Sequence, residues 1–114
     1  MSTYSIRLLA ETVRYLPFAS IPVAGTYMGI GTEIENPARM LLVQNFTDAH
    51  LMFSFDGVND HFPMLHYSHI LLDITSNKAR EGGFYLAEGQ RLYVTQIGAP
   101  TIGGVYLSVF YGRD

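Results

Sequence analysis

Short apolar runs separated by turn residues dominate this chain. Gly, Pro, Asn and Asp recur at short intervals, and no long helical period appears. That alternation of brief runs and turn signals predicts an all-β chain. Residues 4–10 read as a first strand. Residues 13–21 are extended in character, but Pro17 and Pro22 confine them to an edge or a loop, because proline cannot donate to a ladder. Residues 25–30 form the next strand, which Gly31 ends. Residues 33–37 are polar and read as a loop. Asn36 precedes a proline and therefore favours extended geometry, leading into a strand rather than a helix.

The strongest run, residues 38–45, is apolar on both faces, as expected of a strand covered on both sides. Asn45-Phe46-Thr47-Asp48-Ala49 supplies turn residues. Leu51, Phe53 and Phe55 then alternate with His50, Met52 and Ser54, which predicts a half-buried strand. Asp56-Gly57 closes it, and the loop continues through Val58, Asn59, Asp60 and His61. Residues 69–74 form another strand, followed by a long polar connection, a short strand at 84–86 and a tight turn at 87–90. In residues 91–97, Leu92 and Val94 share one face and Tyr93 and Ile97 the other. A Gly/Pro loop at 98–104 leads to the last strand, 105–111. There Val105, Leu107, Val109 and Tyr111 oppose Tyr106, Ser108 and Phe110. About eight strands at this spacing predict a sandwich or barrel. Aromatics on both faces of the last strand point to a covered surface, and so to an oligomer or a docking site.

Composition narrows the classes. The 114 residues make one domain, 1–114, with 1–22 as an extended N-terminal arm. Apolar residues reach 48% and charged residues only 15%, so the chain has enough apolar surface to fold. Seven basic against ten acidic residues give a net charge of −3, which disfavours a nucleic-acid binder held by phosphate contacts. The absence of cysteine removes disulfides, thiolate metal sites and cysteine nucleophiles. No apolar run is long enough to span a membrane, and the N-terminus lacks the pattern of a signal peptide. The expectation is a soluble chain made in a cytoplasm, with no membrane partner.

Candidate chemistry is sparse. His61, His66 and His69 fall within nine residues, but Pro63 interrupts them and neither a helical pair nor a His-x-His pair is present. They read as loop and edge histidines; a minimal metal-dependent enzyme built on them is the competing view. Asp56, Asn59 and Asp60 look faintly like a calcium loop, yet the EF-hand spacing is not met and Asp-Gly is first a turn dipeptide. No Gly-x-Ser-x-Gly elbow, dinucleotide fingerprint or phosphate loop occurs. Glu33 and Glu35 read as a solvated stretch. Eight Tyr and seven Phe without Trp favour a core and a subunit interface over a sugar-binding face. The reading is of a non-enzyme without cofactor.

One resemblance is carried by the order of several segments. These are Pro37-Ala38-Arg39-Met40-Leu41-Leu42-Val43-Gln44-Asn45, then Phe53-Ser54-Phe55-Asp56-Gly57-Val58-Asn59-Asp60-His61, then Leu72-Asp73-Ile74-Thr75-Ser76-Asn77-Lys78. Glu88-Gly89-Gln90-Arg91-Leu92-Tyr93-Val94 and Pro100-Thr101-Ile102-Gly103-Gly104-Val105-Tyr106 complete the set. The order resembles the jelly-roll cement (decoration, or staple) proteins of tailed-bacteriophage capsids. The resemblance runs from about residue 25 to 111 and departs at the histidine-rich segment 61–69. It implies a jelly-roll-like β-sandwich and a structural role in the virion, on the capsid surface. The implied partners are the major capsid protein and further copies of the chain, as a homodimer or larger homo-oligomer. A head–tail connector or tail component, or a small carbohydrate- or receptor-binding β-sandwich, is the alternative.

Contact residues follow from where such a scaffold carries binding. The loop Asp56, Gly57, Val58, Asn59, Asp60 and His61 is one expected capsid contact, because loops carry binding on a rigid sandwich. The N-terminal positions Tyr4, Ile6 and Leu8 are another, through strand addition to a neighbour. Tyr106, Phe110 and Tyr111 are the expected subunit interface.

Overall fold

The computed structural model describes residues 7–36, 38–73 and 90–113. Among them, nine strands form two antiparallel sheets packed as a β-sandwich. The strands are β1 (Arg7–Ala10), β2 (Arg14–Pro17), β3 (Met28–Gly29), β4 (Met40–Asn45), β5 (Leu51–Ser54), β6 (Phe62–Met64), β7 (Ser68–Asp73), β8 (Tyr93–Gln96) and β9 (Gly104–Arg113), with one 3-10 turn at Phe18–Ser20. One sheet runs β1-β9-β4-β7, with β2 also paired to β9; the other runs β3-β8-β5-β6.

The alternation in the sequence explains the layers. Val105, Leu107 and Val109 of β9 and Leu41 and Val43 of β4 are fully buried and face Leu51 and Phe53 of β5 and Val94 of β8 across the core. Each such side chain contributes about 1.5–3 kcal/mol on burial. Phe53 stacks on Phe62 with ring centroids 5.2 Å apart. The opposite face of β4 departs from expectation. Met40, Leu42 and Gln44 are only half-buried, because just one sheet packs on this strand. Leu42 instead faces outward beside Ser108 and the exposed Leu71.

Two other expectations shorten. The strand over 25–30 is reduced to Met28–Gly29. Its first half is taken by a turn in which the Thr26 amide donates to the Val23 carbonyl, with Gly25 at φ +94°. In the expected N-terminal arm, residues 7–10 and 14–17 pair with the chain's own β9. The expected strand at 84–86 and most of the turn at 87–90 lie outside the described residues.

Between β1 and β2 the chain leaves the ladder, and a buried ion pair holds the jog. The side chains of Glu11 and Arg14 are only 2% and 5% exposed and meet at 2.7 Å. Arg14 also donates to the carbonyls of Thr32 (2.9 Å) and Glu33 (2.8 Å). Glu11 accepts from the Asn36 amide and side chain at 2.8 and 3.0 Å. The loop expected to be merely solvated is thus fastened to the sheet edge.

The short connection 46–50 places the end of β4 beside the start of β5. One end of the sandwich therefore gathers residues 46–50, 65–67 and 97–104. Backbone bonds tie them: Tyr67 to Thr47, Ile97 to His50 and Phe46 to Gly104. The other end carries the loop after β5 and the start of β4.

Candidate binding surfaces

The loop from Phe55 to His61 is held by its own polar groups. Asp56 Oδ1 accepts from the amides of Val58 (2.8 Å) and Asn59 (2.9 Å) and from the Ser54 hydroxyl (2.8 Å). Its second oxygen accepts from the Asn59 side chain at 2.9 Å. The Asn59 and Val58 amides, then the Asn59 side chain and Ser54 hydroxyl, hold the Asp56 carboxyl far below the usual carboxylate range. His61 Nδ1 accepts the Phe55 amide at 2.9 Å, and the His61 amide donates to the Phe53 carbonyl. Tyr27 donates its hydroxyl to Asp60. Gly57 at φ +77° packs against the Tyr93 ring, where a Cβ would lie 3.3 Å away. The result is a braced loop that presents Val58, 78% exposed, to water. Asp56, weighed as a calcium ligand, is committed to its own loop.

Phe110 lies near this end of β9, opposite Met40 of β4 and Ala10 of β1. Leu8 pairs with Gly112 through the backbone. Three of the expected contact groups, the loop, the β1 region and Phe110, are therefore brought to one end of the sandwich. Tyr111 is half-buried and follows the alternation of the inward-facing residues, so it does not share a face with Phe110. Tyr4 and Ile6 lie outside the described residues.

Tyr106 sits at the opposite end. Its ring lies 4.7 Å from that of Tyr15 and 5.5 Å, edge-on, from that of Phe46. Tyr15 and Phe46 are each nearly half exposed. With Gln44, Gly103 and Gly104 they line an open groove of about 410 Å³. The register aligns Tyr15, Tyr106, Gln44 and His69 in one row across four strands. Sequence reading found Tyr106 but missed Tyr15, Gln44 and Phe46. Tyr15 was hidden in a segment without clear periodicity, and Phe46 in a stretch read only as a turn.

The histidines disperse. His50 and His66 stack with centroids 5.1 Å apart, and the His66 amide donates to His50 Nδ1 at 3.1 Å. His61 belongs to the braced loop at the other end, and His69 is exposed on β7. Among the described residues no three His, Asp or Glu side chains converge as metal ligands, and no helix is long and apolar enough to cross a membrane. No protein-family model, no curated protein and no solved structure matches the chain.

Proposed function

We propose that this chain is a structural virion protein that binds an assembled phage capsid and stabilises it by bridging neighbouring capsid subunits. The observation that carries this reading is the braced loop. Asp56 accepts hydrogen bonds from Val58 and Asn59 of its own loop and from the adjacent Ser54, and the loop holds an apolar side chain out in water. A loop ordered before it meets its partner loses less entropy on binding. Val58 is the side chain it offers, with Phe110 toward the same end. The strand order supports a jelly-roll scaffold. With β1 and β2 counted as one interrupted edge strand, the layers run first-eighth-third-sixth and second-seventh-fourth-fifth, the double Greek key arrangement.

The action is mass action. A protein that binds only the assembled shell stabilises that shell by its binding free energy. Symmetry-related copies multiply a modest contact, and self-association across a symmetry axis makes the bridge multivalent. The partner is the major capsid protein, and the site of action is the capsid surface. A connector or tail position in the same virion is the second reading, favoured by a contact region confined to one end of the molecule.

The test is co-sedimentation of the purified chain with capsids. Val58→Asp puts a charge at an exposed position, so the fold survives while binding falls about tenfold or more. Undiminished binding of a folded Val58→Asp chain overturns the loop as the contact.

A further inference from the structure

We propose that the groove between Tyr15, Gln44, Phe46, Gly103, Gly104 and Tyr106 is a binding site for a neutral saccharide. Its placement, but not its chemistry, rests on the virion reading: with the braced loop on the shell, the groove lies at the far end. Its volume of about 410 Å³ falls in the range of small-molecule sites. Among the described residues its lining carries no Asp, Glu, Lys or Arg, so these offer no counter-charge to an ionic ligand.

The lining joins two kinds of group. Tyr15 and Phe46 present half-exposed ring surface on either side of Tyr106, whose ring fixes both by contact. The C–H face of a pyranose is apolar and slightly positive, and it complements the negative face of an aromatic ring. Besides the Tyr15 hydroxyl, which donates to the Gly103 carbonyl at 3.4 Å, the polar side-chain groups are the Gln44 amide and the Tyr106 hydroxyl. Neither side chain makes a hydrogen bond to another described residue. An amide both donates and accepts, which suits a ligand whose edge is a row of hydroxyls. An all-apolar ligand would leave both groups without partners when it displaced water.

Close backbone approach shapes the groove. Gly103 has φ +84°, and a Cβ there would come within 1.9 Å of the Phe46 carbonyl oxygen. A Cβ on Gly104 would fall 2.4 Å from the Tyr15 ring. The two glycines let Phe46 and Tyr15 close on β9 and set the positions of the outer rings.

The test is a titration of the isotope-labelled chain with neutral hexoses and their disaccharides, followed by amide chemical shifts. The proposal expects saturable shifts at Tyr15, Phe46 and Gly103 to Tyr106. It expects Tyr15→Ala, at a half-exposed position on an edge strand, to weaken binding about tenfold with the spectrum away from the groove unchanged. Gln44→Leu separates stacking from hydrogen bonding and should also weaken it. No saturable shift with any sugar at tens of millimolar overturns the proposal, as do shifts mapping elsewhere or a response to an apolar peptide alone. The assay needs no capsid. Absence of the chain from virions would sink the virion reading and leave this result standing, and the converse also holds.

Discussion

Glu11 and Arg14 form an ion pair almost wholly removed from water, three residues apart, at the point where the edge of the sheet is interrupted. Two charges in such a place are costly unless every hydrogen-bonding direction is met. Here the carbonyls of Thr32 and Glu33 and the amide of Asn36 meet them. The pair thereby joins β1, β2 and the 31–36 loop. Arg14→Ala or Glu11→Ala leaves the partner charge buried and should cost about 3–5 kcal/mol in denaturant unfolding. Glu11→Leu combined with Arg14→Met should cost no more than either single change. Additive losses would show that the two side chains act independently.

Acid should weaken the same junction. Burial raises the Glu11 carboxyl, but the Asn36 side chain, Arg14 and the Glu35 amide outweigh it, so the folded pKa lies below the ordinary value. The unfolded chain then binds the proton more readily than the folded one. The contribution is complete above the unfolded pKa of about 4.3 and is lost as pH falls through the folded value. Unfolding followed from pH 6 to pH 3 should show this loss. Glu11→Gln, which does not titrate, should flatten the profile. An unchanged acid slope in Glu11→Gln would assign the loss to other carboxylates.

Much of this architecture is readable from residue alternation, and the failures have physical causes. The inward sets Leu51 with Phe53, Leu92 with Val94, and Val105 with Leu107 and Val109 follow period two, and all are buried. An apolar run cannot say how many sheets cover a strand, so β4 reads as covered on both sides although only one sheet packs on it. Glu11 and Arg14 sit in a segment where charge reads as exposure; only the fold makes it a buried pair. The braced loop was visible as Asp56-Gly57, because a turn dipeptide is a local signal. The groove was not, because Tyr15, Gln44 and Tyr106 meet only through the pairing of β2, β9 and β4.

Asn45 organises the opposite end. It is fully buried, its side-chain amide donates to the carbonyls of Ala49 (3.1 Å) and Leu65 (3.0 Å), and its oxygen accepts from the Thr47 amide (2.9 Å) and hydroxyl (2.6 Å). Asn45→Ala strands these groups and should destabilise by about 2–3 kcal/mol. Thr47→Val removes only the hydroxyl and should cost about 1 kcal/mol. Equal losses in thermal or chemical unfolding would contradict this division.

Asp56 should act on loop order rather than on global stability, because it lies at the surface. In Asp56→Ala the Val58 and Asn59 amides lose their acceptor, and their hydrogen exchange should quicken while the melting temperature stays nearly constant. Asp56→Asn, which keeps an acceptor oxygen, should fall between. Capsid binding should decline in the same order as amide protection. Full protection of both amides in Asp56→Ala would remove the bracing role.

The copy number of this chain in purified virions tests the proposed place on the capsid most directly. Quantitative mass spectrometry against the major capsid protein should give a ratio near one to one, as expected of a protein that covers the lattice. A few copies per particle would contradict the cement role and move the chain to a connector or tail position. Its absence from virions would reject the structural reading altogether.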